Sequence, residues 1–172
     1  MYKPSIASLD DIAALNKLIN GAYRGESSRK GWTTEAELLD GIRIDEAELR
    51  NIISNKDATL LKYEEQGGLL ACVLLEKQQE SLYLGMLTVS PLLQGKGIGK
   101  ILLAEAEQVA RQQNYSKIVM TVISVRTELI EWYKRHGYVD TGIKKPFPAE
   151  AEKFGKPKCP LEFIVMEKVI RL

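Results

Sequence analysis

The spacing of apolar positions divides the chain into a helix-rich first third and a strand-rich remainder. Tyr2–Ala7 fits a short strand. Ser8 and Asp11 then stand at capping-box spacing, and Ile12, Leu15 and Ile19 recur three and four residues apart, the stripe of an amphipathic helix. Arg24–Gly31 is polar with glycines near both ends, which predicts a loop. Thr34 with Glu37, and Asp45 with Glu48, repeat the cap spacing and predict two short helices, carrying Leu38/Leu39 and Leu49/Ile52/Ile53. Ala58–Glu65 and Leu69–Lys77 are strand-like and meet at Gln66-Gly67-Gly68, a hairpin signal. Leu82–Ser90 is apolar on both faces, with Leu82, Leu84 and Met86 set against Tyr83, Leu87 and Val89, as in a central strand. Gly97–Gln113 predicts a helix with Ile98, Leu102, Ala106 and Val109 on one face. Lys117–Ser124, rich in β-branched residues, predicts a strand. Arg126–His136 predicts a helix stopped by Gly137, and Tyr138–Lys145 and Leu161–Ile170 predict the last two strands. The expected fold is α/β on a mixed sheet, with one strand–helix–strand unit in the middle.

Composition narrows the class without naming a function. A chain of 172 residues can bury a sizeable core, and no repeat or linker-like tract divides it, so residues 1–172 are expected to form one domain. The formal charge of +1 provides no bulk field for nucleic acid or an anionic membrane, and neither is expected as a partner. No signal-peptide pattern opens the sequence, and no apolar run approaches the roughly 18 residues of a membrane span, so a cytoplasmic location is expected. Cys72 and Cys159 form neither a disulfide framework nor a zinc pattern and are read as free thiols. His136, the only histidine, follows Arg135 and precedes Gly137, where a cation suits a helix end. No second ligand stands near it, and no metal is expected.

The chemistry concentrates in Gln94-Gly95-Lys96-Gly97-Ile98-Gly99-Lys100, three glycines at alternate positions between a strand and a helix. Such a turn brings a ligand close to free backbone N–H groups at a helix N-terminus, which suits a phosphate or pyrophosphate. A P-loop would need wider glycine spacing and Ser or Thr after the lysine, but Lys100 is followed by Ile101. A dinucleotide fingerprint fails at its third glycine and lacks the acidic residue roughly 20 positions on.

Leu84–Lys100, LGMLTVSPLLQGKGIGK, resembles the acetyl-CoA-binding motif of the GNAT superfamily of N-acetyltransferases. Leu129–Tyr138, LIEWYKRHGY, resembles that superfamily's next motif, in the expected order and at the expected separation. The resemblance implies a mixed, mostly antiparallel sheet of six to seven strands flanked by helices, with a splayed central strand. It implies that backbone groups of Leu87, Thr88 and Val89 pair with the pantetheine arm. The turn amides of Gly95, Lys96, Gly97, Ile98, Gly99 and Lys100 would hold the pyrophosphate, with Gln94 opening the motif. The implied reaction is direct transfer of an acetyl group from acetyl-CoA, the co-substrate, to an amine, with Tyr133 as proton donor to the departing thiolate.

Two positions depart from the family pattern. Arg126 stands where an asparagine commonly contacts the cofactor, although a guanidinium can still reach CoA oxygens. Leu82–Val89 has no carboxylate where relatives often carry a glutamate base, which leaves Glu26, acting through water, as a candidate. In the superfamily the region between the first two helices walls the acceptor pocket. That region makes Tyr23, Arg24, Glu26, Arg29 and Trp32 candidate acceptor residues, with Arg43 nearby. Arginines suit a carboxylate or phosphate, and Trp32 offers a stacking face. Pro146–Pro160 is a candidate for the opposite rim or an oligomer contact. A small-molecule amine acceptor is expected. A protein lysine or N-terminal amine, and an acyl-CoA-binding regulatory module without turnover, are the competing readings. Relatives often dimerise, and a homodimer is left open.

Overall fold

The computed structural model describes residues 2–148 and 155–172. Strand β1 (Ser5–Ile6) leads into a single 3-10 turn and helix α1 (Ile12–Tyr23), entered through the expected capping box, in which the Ser8 N–H donates to the Asp11 carboxylate at 2.8 Å. A helical turn, α2 (Gly25–Ser28), strand β2 (Leu39–Asp40) and helix α3 (Glu46–Ser54) follow. The Asp45 carboxylate caps α3 by accepting the Glu48 N–H at 2.8 Å, as its spacing predicts. Strands β3 (Ala58–Glu65), β4 (Gly68–Lys77) and β5 (Leu82–Val89) form a meander. Then come α4 (Ile98–Gln112), β6 (Lys117–Ile123), α5 (Thr127–Arg135), β7 (Val139–Pro146), β8 (Lys156–Pro157) and β9 (Glu162–Val169).

Seven strands make one sheet in the order β1-β3-β4-β5-β6-β9-β7, and every neighbouring pair is antiparallel except β5 and β6. This is the expected mixed, mostly antiparallel sheet. Its two faces are covered separately. Leu15 and Ile19 of α1 and Leu49 of α3 pack on one face with Cys72, Leu74 and Met86. Leu102 and Ala106 of α4 and Ile130 and Tyr133 of α5 pack on the other with Val73, Leu84 and Met120. Cys72 and Cys159 are free thiols, and burial pushes the Cys72 thiol up to about 12. Among the described residues no helix is long and apolar enough to cross a membrane.

Three local expectations need correction. Arg24–Gly31 is not an open loop. It forms α2, in which Ser28 is fully buried and its hydroxyl bonds the Gly25 carbonyl and the Thr34 hydroxyl, both at 2.6 Å. Thr34 with Glu37 starts no helix. The Thr34 hydroxyl accepts from the Ala36 N–H at 3.1 Å, two residues on rather than three, and after one turn Leu39 extends to pair with Pro157 in β8. Met86 does not share a face with Leu82 and Leu84, for reasons given with the site. Of the loop Pro146–Pro160, residues 149–154 lie outside the described residues.

Candidate active site

The site is built on a fork in the sheet. Strands β5 and β6 pair only at Leu82–Ile118 and Tyr83–Val119, and then separate. The Tyr83 and Thr121 hydroxyls, 3.1 Å apart, bridge the crotch of the fork. On its other side β5 carries a bulge. Leu74 pairs with Gly85 and Cys72 with Thr88, so Met86 and Leu87 stand opposite the single residue Val73. Met86 takes a left-handed backbone conformation (φ 48°), which moves its side chain to the α1 face and returns Leu87 and Val89 to the α4 face. The Ser90 N–H donates to Leu70 in β4 at 2.8 Å. By strand alternation Leu87 and Val89 therefore turn their backbone groups towards the open fork.

Beyond β5 the glycine turn re-aims the chain into α4. Gly95 and Gly97 both have positive φ (82° and 84°), and a Cβ at either would meet nothing within 4 Å, so the space above the turn is open. Gly97 caps α4 without a side-chain bond, so the first amides of the helix have no side-chain partner among the described residues and are available to a ligand above the turn. Gly99 lies against Trp132 of α5, where a Cβ would come within 3.1 Å of the indole. The cavity above has a volume of about 660 Å³ and is lined by Val89, Gly95, Gly97, Gly99, Lys100, Trp32, Trp132 and the half-buried His136. The His136 Nδ1–H donates to the Trp132 carbonyl at 2.7 Å, and its ring lies tilted against Trp132, centroids 4.3 Å apart. A turn with open space above it, helix amides without a side-chain cap and a lysine at the rim fits a pyrophosphate.

The Acetyltransferase (GNAT) domain family matches residues 30–148, more than half of the chain. The chain belongs to the GNAT acetyltransferases. No curated protein matches the sequence. Solved structures share the fold. The ribosomal-protein-S18-alanine N-acetyltransferase from Escherichia coli superposes with a TM-score of 0.72 at 14% identity, over 100% of this chain and 96% of that one. The PaiA N-acetyltransferase from Thermoplasma acidophilum, solved with coenzyme A, gives a TM-score of 0.68 at 19% identity, over 98% and 99%. Nourseothricin acetyltransferase gives 0.58 at 20% identity, over 67% of each chain. The protein is thus an acetyl-CoA-dependent N-acetyltransferase.

In this GNAT chain a second cavity, of about 340 Å³, opens on the β6 side of the fork. Tyr23, Leu87, Arg126, Leu129 and Tyr133 line both cavities and form the wall between them. Tyr133 is buried, and burial drives its hydroxyl far above the ordinary tyrosine range. That hydroxyl has no hydrogen-bond partner among the described residues. The Tyr23 hydroxyl donates a short hydrogen bond to the Leu87 carbonyl, and burial, partly opposed by Arg126, raises its pKa as well.

The remaining sequence candidates separate sharply. The Gln94 side chain is saturated by protein. Its Oε1 accepts the Trp32 N–H at 2.8 Å, and its Nε2 donates to the Thr33 hydroxyl at 2.6 Å and the Val89 carbonyl at 3.2 Å. A side chain at Gly31 would collide with this amide, its Cβ lying 2.3 Å from Oε1. Arg126 donates to the Thr33 carbonyl at 2.5 Å and to Glu35 at 3.2 Å. Together Gln94 and Arg126 strap the segment Trp32–Glu35 across the fork. Arg24 is buried and donates to Glu35 at 3.1 Å and to the Ile42 carbonyl at 3.0 Å. Glu26 and Arg29 pair with each other at 3.1 Å on the exterior, and neither lines either cavity. Lys96 is exposed and outside both cavities, the Ile98 side chain is in the core, and the Thr88 side chain is buried and donates to the Met86 carbonyl. Glu35, which joins Arg24 to Arg126, has no sequence signature: its partners lie 11 and 91 residues away.

Proposed function

We propose that the chain transfers the acetyl group of acetyl-CoA to the amine of a small molecule held in the second cavity. The observation that carries this reading is the pair of cavities meeting at one wall, Leu87, Arg126 and Tyr133. The smaller one has the size of a small-molecule site. The acceptor classes of the solved structures differ among themselves, a ribosomal protein in one case and nourseothricin in another, so cavity shape carries the choice.

The turn amides of Gly95–Lys100 hold the pyrophosphate, with Lys100 adding charge at the rim. The Leu87 and Val89 backbones face the fork and suit the amide groups of the pantetheine arm. Lys96 and Thr88 do not line the first cavity, whereas Gln94 and Ile98 do, and the amides of Lys96 and Ile98 belong to the turn. The thioester supplies the acyl carbon: a bond from the amine nitrogen forms, the C–S bond breaks, the amine loses a proton and the sulfur gains one. Tyr133, kept protonated in the resting site by burial, gives its proton to the departing sulfur and regains one through water, which carries away the proton of the amine. The only carboxylate among the described residues of the second cavity, Glu35, is held between two guanidiniums, so the amine proton leaves through water.

A thiol-release assay with acetyl-CoA and a panel of amines tests the reading. Tyr133→Phe is expected to lower kcat about 100-fold with acetyl-CoA affinity unchanged. Wild-type turnover by that variant would remove Tyr133 from the chemistry. Absence of amine-dependent thiol release across the panel, with CoA binding intact, would contradict the small-molecule reading.

A further inference from the structure

The second cavity is rich in arginine. Arg24, Arg43 and Arg126 line it, against the single carboxylate of Glu35 among the described residues. Both Glu35 oxygens are committed, one to Arg24 and the other to Arg126. Arg43 is different. Its guanidinium lies 5.9 Å from the centre of the Tyr23 ring, half-buried, and has no hydrogen-bond or ion-pair partner among the described residues. Its backbone is nonetheless fixed. The Asn20 side-chain oxygen accepts the N–H groups of Arg43 and Ile44 at 2.7 and 3.1 Å, and the Asn20 amide donates to the Ile44 carbonyl at 2.9 Å. An arginine on a fixed backbone that lines a cavity and has no side-chain ion pair among the described residues suits an anion. The lining also includes the apolar side chains of Met120, Phe147 and Phe163.

We infer that Arg43 receives a carboxylate of the acceptor, so that the substrate class is a small primary amine that also carries a carboxylate and an apolar body. This rests on the proposed acetyl transfer into the second cavity and narrows its substrate. A cationic acceptor such as a polyamine would meet three arginines against one carboxylate among the described lining residues, and it would leave Arg43 without a counter-ion. An amino acid brings that counter-ion, and its amine can then approach the wall at Leu87 and Tyr133.

The test has two arms. In the first, thiol release is measured with glycine, methionine, phenylalanine and 4-aminobutyrate, each against its carboxamide, and with spermidine. At least one acid is expected to exceed its carboxamide about 10- to 100-fold in kcat/KM, the worth of a charge-assisted hydrogen-bonded pair. Arg43→Gln should erase that preference through KM, with the KM for acetyl-CoA unchanged, and Arg43→Lys should restore part of it. Carboxamides or spermidine turned over as well as the acids would overturn the inference and leave the acetyltransferase reading standing. The second arm does not need turnover. The CoA-loaded protein is titrated calorimetrically with N-acetylmethionine and N-acetylphenylalanine and with their amides. Tighter binding of the acids that disappears in Arg43→Gln upholds the anion subsite even if no amine releases thiol, in which case only the transfer reading fails. Equal binding of acids and amides overturns the inference.

Discussion

The two sides of the fork are made of different materials. The side proposed for the cofactor is a contiguous stretch, Leu87–Lys100, that offers backbone groups, with open space above Gly95 and Gly97 and no side-chain cap at the start of α4. The side proposed for the acceptor is assembled from side chains far apart in the chain: Arg24, Glu35 and Arg126 are held by a buried ion-pair chain, and Arg43 lines the same cavity outside that chain. A backbone site is specified by where side chains are absent, so it tolerates most polar changes and rejects an added Cβ. A side-chain site is specified by mutual neutralisation, so removing one member strands the others. Each side should therefore fail in its own way.

The largest effect is expected at the centre of the ion-pair chain. Glu35→Ala removes the carboxylate that joins the buried guanidiniums of Arg24 and Arg126, which costs about 3–5 kcal/mol. For a chain of this size that corresponds to a fall of roughly 10 °C in Tm, measured by calorimetry. Melting like the wild type would mean that the acceptor side is not held by this network. The wall between the two sides gives the next effect. Tyr23 and Tyr133 both have raised pKa values, chiefly through burial. In the unfolded chain each loses its proton near pH 10, while the folded chain keeps it. Above pH 10 the native state therefore binds more protons, and stability falls as pH rises, by up to about 1.4 kcal/mol per pH unit for each group. Below pH 10 neither contributes a slope. Urea unfolding at pH 8 to 11 would read this directly, and a flat profile above pH 10 would place both hydroxyls in water. The smallest effect concerns the strap. Gln94→Ala removes three hydrogen bonds around Trp32 and Thr33 and should cost about 1–3 kcal/mol, with a shift in Trp32 fluorescence. A larger loss of CoA affinity than of stability would instead make Gln94 a direct cofactor contact.

The same contrast explains what the sequence disclosed. The caps at Ser8/Asp11 and Asp45/Glu48, the hairpin at Gln66-Gly67 and the glycine turn are local arrangements, each written within a few consecutive residues, and all are present. The bulge at Met86 left no trace, because a methionine with positive φ carries no compositional mark and is imposed by the register against β4. Thr34–Glu37 shows cap spacing, yet long-range pairing of Leu39 with Pro157 overrides the local preference for a helix. The arginines stood out as polar residues, but nothing local separates Arg24, spent on Glu35, from Arg43, which is not. Glu35 went unread because its meaning lies wholly in partners far along the chain.

In the proposed arrangement the two sides do separate work, CoA on the glycine turn and the acceptor beside the arginines. Calorimetric titration of CoA into the wild type, Gly97→Val and Arg43→Gln tests it most directly. A valine at Gly97 puts a branched side chain at a left-handed position and into the open space, and it is predicted to weaken CoA binding about 100-fold or more. Arg43→Gln is predicted to leave CoA binding within about twofold of the wild type, as expected of a charge that makes no cofactor contact. Equal losses in the two variants, or none in Gly97→Val, would contradict the division.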